Sequence, residues 1–508
     1  MSYDLSDFDA VLFDVGGTLV REAEPVTPID ELDVQPLPGA LEVLRDLATH
    51  QRLGAVTDTA VMDEAKVRSL LATVGIDALL EAVVTSHDIG AAKPAPDGVL
   101  EACRRLGVAP ARTLFVGNRV ADRDAAAAAG TAFVAVDRGL DDALERAVAL
   151  STGPLADALA AIAPVDSDAS GAAEARQAQL TKPAGSLGRL EILGNRLAAI
   201  TGRCPPHVPT RPAVAVFAAD HGVARSGVTP WPQDITAAMV ANFANGGAAI
   251  NVIARQVGAA VEVVDVGVAA DLGGLGGVIH AKVRLGTDDI AGGPAMTTDE
   301  ARAALDVGAR VAAALVAHGH DLLVTGDMGI GNTTASAALI AAFTGRTADA
   351  VTGRGTGIDD AMLAHKTKVV ATAVARVEGY LDPRSILAEI GGLEIAAIAG
   401  FIIGGAAARV PVLVDGVIAC AALLTAEAIA PGVRDHCIAG HRSSEPGATI
   451  ALTHLRLDPI LDLELRLGEG TGACLAVPIV QVAARILSEM ATFAELEALS
   501  AASGTPPS

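Results

Sequence analysis

Short apolar runs that end in glycine and polar residues alternate with alanine-rich stretches over most of this 508-residue chain. In the larger C-terminal part the strand-like runs are Ala213–Ala218, Val261–Val266, Asp321–Val324 and Val410–Val414. Such runs joined by helical crossovers predict an open parallel sheet. Because sites in these sheets lie beyond the carboxyl ends of the strands, we expect function in the loops that follow the runs.

The N-terminal part shows the same alternation in the shorter runs Ala10–Phe13, Leu53–Val56 and Thr113–Val116. The turn-forming residues 151–154 interrupt it, and the length of the chain favours two domains. We therefore predict α/β domains at 1–153 and 154–498, a helix over Leu155–Pro164, a polar loop over Asp166–Gly171, and a disordered tail over 499–508.

The composition limits the partners of the chain. Half of the residues are apolar but only 2% are aromatic, and small side chains suit helices that pack closely on a parallel sheet. The formal net charge of −23 argues against a nucleic-acid partner, which needs a basic stripe. This charge fits a solvated acidic shell or an adaptation to high salt.

Cysteine usage and hydropathy favour a cytoplasmic protein. The five cysteines are scattered without a CxxC pair, which argues against a disulfide framework or a zinc site. The N-terminus lacks the cationic and apolar regions of a signal peptide. The most membrane-like stretches, Ile395–Ala408 and Gly470–Ala484, are shorter than the roughly 20 residues of a spanning helix. We expect both to be buried helices, with no membrane contact.

Six loop clusters fall where the sheet rule expects a site. They are KPAGSLGRLE (182–191), ADHGV with GVTPWPQ (219–233), GDMGIGNTT (326–334), GRGTG (353–357), HRSSEPG (441–447) and RLGEGTG (466–472). In Gly329–Thr334 the glycines allow N–H groups to face an anion, and the following helix N-terminus adds positive charge. The alternative for this turn is a tight turn whose polar residues cap the helix. For Arg354 and Arg442, in two of the other loops, the alternative to anion binding is a surface ion pair.

In order and spacing these motifs resemble the nicotinate-nucleotide:dimethylbenzimidazole phosphoribosyltransferase family of cobalamin synthesis, from Leu155 to Phe493. The resemblance implies a doubly wound parallel sheet with a small helical subdomain, a homodimer and no cofactor. It implies nicotinate mononucleotide and 5,6-dimethylbenzimidazole, or a related base, as substrates, with Glu469 as general base. The substrate-binding residues, with Trp231 added as an aromatic wall, are Asp327, Gly329, Gly331, Asn332, Thr333, Gly355, Gly357, Lys366, Ser443 and Arg466.

The reaction of that family needs few charged groups. Nicotinate leaves the ribose neutral at its ring nitrogen, whereas the incoming benzimidazole must lose its N–H proton. One carboxylate base suffices, and it typically contributes ~10²–10⁴-fold. Glu469 lies between Gly468 and Gly470, which leave room for a flat ring. The alternative for Glu469 is a helix N-cap or first-turn acid that precedes the helix Thr471–Ile486.

Three other loop residues have their own interpretations. Asp327 stands where the family commonly has Glu, which shortens the carboxylate by one methylene. Trp231, the only tryptophan, either lines the base pocket or anchors its loop on the core. His221 is predicted to be a structural hydrogen-bonding residue, because no second metal ligand lies at a suitable spacing.

The run Asp9–Leu19 resembles the first motif of the haloacid-dehalogenase-like phosphohydrolases, which implies a Rossmann-like domain with Asp14 as nucleophile. Later motifs imply that Thr57 and Lys93 bind phosphate and that Mg²⁺ lies between Asp14 and Asp122. Too few residues separate Asp14 from Thr57 for a large cap domain.

Two departures from that pattern bear on activity. Gly16 stands where the family usually has an Asp that acts as general acid and base, and Asn118 stands where it usually has Asp. The domain is therefore either a phosphatase acting on α-ribazole 5′-phosphate or an inactive structural or regulatory domain. Two further hypotheses concern the whole chain. One is a binding module that has lost its chemistry, which Glu469 argues against. The other is a phosphatase whose C-terminal domain selects the substrate, which Gly16 and Asn118 argue against.

Overall fold

The computed structural model of the chain describes residue 5 and residues 8–21, 34–148 and 153–503. It divides into two compact units, Met1–Thr152 with Gly379–Ser385, and Gly153–Glu378 with Ile386–Ser508. The first division falls beside the turn-forming residues at 151–154. No sequence signal indicates that the short segment Gly379–Ser385 groups with the N-terminal unit; its last residues begin a helix, Pro383–Ile390, that continues in the C-terminal unit.

The N-terminal unit is a parallel sheet with helices between its strands. Its elements are β1 Ala10–Phe13, α1 Ala40–Leu47, β2 Arg52–Thr57, α2 Glu64–Thr73, β3 Ala82–Thr85, α3 Ser86–Ile89, α4 Asp97–Leu106, β4 Thr113–Gly117, α5 Val120–Ala129, β5 Ala132–Ala135 and α6 Leu140–Val148. The strand order is β3-β2-β1-β4-β5. Because the order reverses between β1 and β4, the carboxyl ends of these two strands flank a crevice.

Between β1 and β2 the described residues contain a single helix, α1, while residues 22–33 lie outside the described residues. Phe13 on β1 and Phe115 on β4 are fully buried and fill the two faces of the sheet. Strand β1 coincides with its predicted run, and β2 and β4 contain theirs. Strands β3 and β5 were not predicted.

The C-terminal unit is larger and has the same architecture. Its elements are α7 Pro154–Ala161, α8 Ser167–Gln177, α9 Arg189–Thr201, β6 Pro212–Ala219, α10 Asp234–Ala244, α11 Ala249–Val257, β7 Ala260–Gly267, β8 Val278–His280, α12 Thr298–Ala317, β9 Leu322–Met328, α13 Asn332–Thr344, α14 Ala348–Val351, α15 Asp360–Arg376, α16 Pro383–Ile390, α17 Leu393–Ala407, β10 Val412–Val414, α18 Val417–Ile429, β11 Cys437–Ala439, α19 Pro446–Leu455, α20 Thr471–Glu489 and α21 Phe493–Ser503.

The six strands of this unit are parallel in the order β11-β10-β9-β6-β7-β8. The order reverses between β6 and β9, so a ligand site is expected beyond the carboxyl ends of these two strands. Helices α8 and α9 pack with α20 as a helical layer contributed by both ends of the unit. Two parallel-sheet α/β domains were predicted, and this prediction is confirmed.

Glycines allow the close helix packing that the composition suggests. A Cβ on Gly308 of α12 would collide with the Ala397 carbonyl of α17, and one on Gly400 would collide with the Leu305 carbonyl. Helix α17 is buried from Leu393 to Ala406. The two helices therefore approach backbone to backbone, which larger side chains would prevent.

Two predictions about local structure need correction. Asp166 does not begin a loop: its side chain accepts a hydrogen bond from Ala169 N at 2.9 Å and caps α8, because an Asp before an alanine-rich stretch is a helix start. Helix α21 extends to Ser503, so it includes the first residues of the predicted disordered tail. Residues 504–508 lie outside the described residues.

Two stretches of the described chain, Asp234–Val257 and Thr471–Glu489, are long and apolar enough to cross a membrane by length and composition. The first consists of the two helices α10 and α11. The second is α20, which packs against α9 and α11. Core helices of soluble proteins pass the same test, and the two stretches are only weak support for a membrane span.

Candidate functional site

A cavity of about 260 Å³ lies at the carboxyl ends of β6 and β9, where the strand order reverses. The predicted residues that line it are Trp231, Asp327, Gly329, Asn332, Thr333, Gly355, Ser443, Arg466 and Glu469. Gly331 and Lys366 line a smaller adjoining hollow of about 50 Å³. Gly357 lies in a third hollow, which shares Arg466 and Glu445 with the cavity.

Glu469 lies in a strained turn. Its backbone has a φ of +64°, between Gly468 at +84° and Gly470 at +88°. Only the glycines adopt this left-handed region at no steric cost. The side chain is 5% exposed, and its Oε2 accepts a hydrogen bond from Ile250 N at 3.2 Å in the first turn of α11. The turn thus aims the carboxylate at the N-terminus of α11, while Gly470 precedes the first residue of α20.

Opposing effects act on this carboxylate. Burial raises the pKa of Glu469, the hydrogen bond from Ile250 N lowers it, and the charge of Asp415 raises it again. The net direction is upward from the ordinary glutamate value. A raised pKa brings a carboxylate closer to the range in which it takes up a proton efficiently.

Asp327, on β9, is a second buried acid of the cavity. Burial raises its pKa well above the ordinary value, and the charges of Asp415 and Glu394 raise it further. Its Oδ2 accepts a hydrogen bond from Asn332 Nδ2 at 3.0 Å. A Cβ on Gly468 would lie 2.9 Å from the same oxygen, so Asp327 and the turn of Glu469 fit together only with glycine at position 468.

Two buried carboxylate–imidazole pairs support the cavity, and the sequence identified neither. His441 Nε2 lies 3.3 Å from Asp415 Oδ1, which also accepts a hydrogen bond from Ala473 N at 2.8 Å. His221 Nε2 lies 2.7 Å from Glu394 Oε1. Burial lowers the pKa of each histidine, but the carboxylate partner outweighs it, and both pKa values are raised.

His221 therefore has the structural hydrogen bond that was predicted. Within residues 5, 8–21, 34–148 and 153–503, no group of three or more His, Cys, Asp or Glu side chains is placed to hold a metal ion.

Lys366, on α15, is a buried cation beside the N-terminus of α13. It is 1% exposed, and its Nζ donates to Thr333 Oγ1 at 2.8 Å and to the Gly353 carbonyl at 3.2 Å. Burial lowers the pKa of Lys366 to about 8. Gly331, with a φ of +99°, precedes the first residue of α13. A buried ammonium and a helix N-terminus together form a site suited to an anion.

The rim of the cavity contains both aromatic and cationic groups. Trp231 is 48% exposed, and its Nε1 donates to Thr356 Oγ1 at 2.9 Å. It is thus part of the cavity wall and is not packed into the core. Arg466 Nη1 donates to the Gly355 carbonyl at 2.9 Å, and Gly355 N donates to Glu445 Oε1 at 2.8 Å. These bonds fix the GRGTG loop over the cavity.

The arginines Arg354 and Arg442 form surface ion pairs, the alternative to anion binding. Arg354 contacts Asp360, and Arg442 lies 3.4 Å from Asp462, with all four side chains well exposed. Ser443 Oγ accepts a hydrogen bond from Glu445 N at 3.3 Å. Glu445, which positions the neighbouring loop, is a cavity residue that the sequence did not single out.

The N-terminal unit has a separate polar site at its own strand reversal. Lys93 Nζ lies 2.5 Å from Asp14 Oδ1, after β1, and 2.5 Å from Asp122 Oδ1, after β4. All three side chains are buried. Burial raises the pKa of Asp14 to about 6, against the charge of Lys93. Thr57 ends the neighbouring strand β2 at the same edge of the sheet.

The same edge carries the two departures from the phosphohydrolase pattern. Asn118 Oδ1 accepts a hydrogen bond from Thr18 Oγ1 at 3.4 Å, and a Cβ on Gly17 would collide with the Asn118 amide. A Cβ on Gly16 would meet nothing within 4 Å. Position 16 therefore opens onto free space beside Asp14.

These residues suit a magnesium ion, which binds through one or two carboxylates and keeps several waters. Asp14 Oδ2 is buried and makes no hydrogen bond within the described ranges. Asp122 is the second carboxylate, and the ammonium group of Lys93 contacts both Asp14 and Asp122. The negative charge of Asp122 raises the pKa of Asp14, and a divalent cation would relieve this repulsion.

Comparisons with known proteins identify relatives of both parts of the chain. A family model described as phosphoribosyltransferase matches residues 162–497. The nicotinate-nucleotide–dimethylbenzimidazole phosphoribosyltransferase of Salinispora tropica is 54% identical over 349 residues, covering 66% of this chain and 96% of that protein. The corresponding enzyme of Chromobacterium violaceum is 55% identical over 333 residues, covering 65% and 96%.

A crystal structure of CobT from Thermus thermophilus superposes with a TM-score of 0.64 at 48% identity, covering 67% of this chain and all of that one. A second family model, described as haloacid dehalogenase-like hydrolase, matches residues 28–130, a range that begins after Asp14. The chain therefore belongs to the nicotinate-nucleotide–dimethylbenzimidazole phosphoribosyltransferase family, with a haloacid dehalogenase-like domain at its N-terminal end.

Proposed function

We propose that the C-terminal unit transfers the phosphoribosyl group of nicotinate mononucleotide to 5,6-dimethylbenzimidazole or a related base. The products are α-ribazole 5′-phosphate, a precursor of the lower ligand of cobalamin, and nicotinate. The observation that carries this proposal is the buried Glu469 carboxylate, held at the N-terminus of α11 in the cavity wall. The proposed transfer reaction requires no cofactor.

The chemistry follows from this placement. One benzimidazole nitrogen attacks C1′ of the ribose, the C1′–nicotinate bond breaks, and its electron pair neutralises the pyridinium nitrogen. The N–H proton on the other benzimidazole nitrogen passes to Glu469. Attack opposite the leaving group inverts C1′, so a β-nucleotide gives an α-product. The glycines that flank Glu469 let its turn pack closely on β9, because a Cβ on Gly468 would lie 2.9 Å from Asp327 Oδ2 and one on Gly470 would lie 2.9 Å from the Thr325 carbonyl oxygen.

The rest of the cavity supports the same assignment. The exposed face of Trp231 suits an aromatic base, and Lys366 with the N-terminus of α13 suits the 5′-phosphate of the nucleotide. Asp327, whose pKa is raised by burial, lines the same cavity as Glu469 and accepts a hydrogen bond from Asn332 Nδ2.

Product analysis tests the transferase directly. The protein is incubated with nicotinate mononucleotide, with and without 5,6-dimethylbenzimidazole, and nicotinate and ribazole phosphates are separated by chromatography and identified by mass. We expect nicotinate release that depends on the base and matches the new ribazole phosphate one to one. Tight binding of both compounds without product would instead support a binding module that has lost its chemistry.

We propose as a second function that the N-terminal unit removes the phosphate of α-ribazole 5′-phosphate. The observation that favours it is the cluster of Asp14, Lys93 and Asp122 at the strand reversal. Asp14 would attack phosphorus, Lys93 would neutralise the phosphate, and Asp14 and Asp122 would hold Mg²⁺, which stabilises the charge on the transferred phosphoryl group. In one chain, the phosphatase meets the transferase product at raised effective concentration.

The phosphatase is tested by following inorganic phosphate during the transfer reaction with Mg²⁺ present. We expect phosphate release that lags behind nicotinate release and that Asp14→Asn abolishes, while nicotinate release continues. Release that is absent, or unchanged in the variant, would instead indicate an inactive structural or regulatory domain.

The proposed oligomeric state, localisation and partners of the chain rest on its composition and its family. A cytoplasmic homodimer formed through the C-terminal unit, without nucleic acid or membrane, fits the net charge of −23 and the family. Analytical ultracentrifugation of the full chain tests the dimer, which should sediment at twice the 51.0 kDa mass of one chain.

A further inference from the structure

The proposed phosphatase reaction needs a proton donor for the leaving oxygen of its substrate. The 5′ oxygen of a ribose is an alkoxide if it leaves without a proton, and general acid catalysis typically contributes ~10²–10⁴-fold. Gly16 cannot supply this proton because it has no side chain. Asp14 is the nucleophile, and Asp122 Oδ2 accepts hydrogen bonds from Asn118 N at 3.1 Å and Arg119 N at 2.9 Å. Neither carboxylate is therefore available.

Asp58 is a third carboxylate at this edge of the sheet. It directly follows Thr57 at the end of β2. Its Oδ1 accepts a hydrogen bond from the backbone N of Lys93 at 3.1 Å, while the ammonium of the same lysine contacts Asp14. Asp58 and Asp14 are thus held at the two ends of one lysine residue. Asp58 is only partly buried, and Oδ2 makes no hydrogen bond within the described part of the chain.

The loop that carries Asp58 is fixed by neighbouring residues. Thr59 N donates to Ser86 Oγ at 2.8 Å, and Ser86 Oγ donates back to the Thr59 carbonyl at 3.1 Å. His87 Nδ1 lies 3.2 Å from the Ala60 carbonyl. A catalytic group needs such support, because small displacements from the reacting atoms are costly.

We propose that Asp58 is the general acid and base of the N-terminal site, in place of the side chain absent at Gly16. This inference rests on the proposed phosphatase function. In the first step Asp14 attacks phosphorus, the bond from phosphorus to the leaving oxygen breaks, and that oxygen takes the proton of Asp58. In the second step water attacks the phosphoryl group on Asp14, Asp58 takes a proton from the water, and Asp14 leaves as a carboxylate. One proton is given and one is recovered, so the site returns to its starting state.

Two substrates separate a general acid from a structural residue. α-Ribazole 5′-phosphate has an alkoxide leaving group, whereas p-nitrophenyl phosphate has a phenolate that leaves without a proton. For Asp58→Asn in the full chain with Mg²⁺, we expect phosphate release from α-ribazole 5′-phosphate to fall at least about 100-fold. With p-nitrophenyl phosphate the initial burst of nitrophenol should stay within about fivefold of wild type, while later turnover slows.

The second step gives a readout that does not depend on turnover. In Asp58→Asn the phosphoryl group should accumulate on Asp14 after p-nitrophenyl phosphate is added, and intact-protein mass spectrometry should detect it. Asp124→Asn, at an exposed position on α5 paired with Arg123, is the matched control and should behave as wild type. Because position 16 opens onto free space, Gly16→Asp in the Asp58→Asn background should restore hydrolysis of α-ribazole 5′-phosphate at least about tenfold.

The possible outcomes test the assignment of Asp58 separately from the proposed phosphatase activity. If Asp58→Asn loses the burst and the turnover equally, or changes neither, Asp58 is not the acid and base, while the phosphatase itself stands. If the wild-type chain releases phosphate from neither substrate, the proposed phosphatase fails, and the assignment of Asp58 fails with it.

Discussion

Transferase activity should decline at alkaline pH because Lys366 loses its proton. Burial lowers the pKa of this lysine from its usual 10.5 to about 8. Its ammonium lies at the N-terminus of α13, where the phosphate of nicotinate mononucleotide is proposed to bind. A phosphate monoester is already a dianion above pH ~7. Loss of the lysine proton therefore removes the cation without changing the substrate.

The magnitude follows from the fraction of ammonium. At pH 9 a group with a pKa of about 8 keeps about one tenth of its protons, so kcat/KM for nicotinate mononucleotide should fall about tenfold between pH 7 and pH 9. Lys366→Met lacks the cation at every pH. A charge-assisted hydrogen bond contributes ~1.5–3 kcal/mol, so the variant should be about 10- to 100-fold slower at pH 7, and its profile should be flat on the alkaline side.

Thermal unfolding of Lys366→Met shows whether its lower activity comes from loss of the cation or from misfolding. Because the pKa of Lys366 is lower in the folded state, its charge destabilises the fold by about 3 kcal/mol at pH 7, and this cost disappears as pH rises from about 8 to 10. Lys366→Met should therefore unfold at no lower temperature than wild type at pH 7. Lys368→Met, at an exposed position of the same helix, is the matched control and should keep the wild-type profile. An alkaline decline that persists unchanged in Lys366→Met would refute this reasoning.

Three further predictions concern the cavity. Gly468→Ala forces a side chain into a left-handed turn and against Asp327 Oδ2, so kcat should fall at least about tenfold, whereas Gly276→Ala, in open space, should not change it. Asp415→Asn removes a charge that raises the pKa of Glu469, so the acid limb of kcat/KM for the base should move to lower pH; an unmoved limb would exclude this influence. Trp231→Ala should raise KM for the base about tenfold or more, while Trp231→Phe stays close to wild type. As the only tryptophan, Trp231 should also lose fluorescence when the base binds, and an unchanged signal would contradict its placement.

The sequence predicted those features that depend on local pattern. Apolar runs with glycine after them identify β1, β6 and β9, and the loops at the ends of β6 and β9 do line one cavity. Short strands such as β8 and β11 escaped detection, because three residues carry too little periodicity. Helix α8 was mistaken for a loop because Asp166, Ser167 and Ser170 are as common in turns as at helix starts.

The polar contacts that cross the sheet could not be predicted in the same way. Asp415 and His441 follow different strands, and only the parallel order of β10 and β11 brings them together. The same is true of Glu394, which reaches His221 from a helix far along the chain. Asp58 has no sequence signal of its own, because the recognisable motif residue is its neighbour Thr57. The contact of Asp58 with Lys93 depends on the fold.

Glu469→Gln tests the central proposal most directly. Glutamine keeps the shape of the side chain and can still accept a hydrogen bond from Ile250 N, but it cannot take up the benzimidazole proton. In rapid-quench experiments with saturating nicotinate mononucleotide and 5,6-dimethylbenzimidazole, nicotinate release should fall ~10²–10⁴-fold, while the base still binds, as Trp231 fluorescence should report. Nicotinate release at the wild-type rate in Glu469→Gln would contradict the assignment of Glu469 as the base.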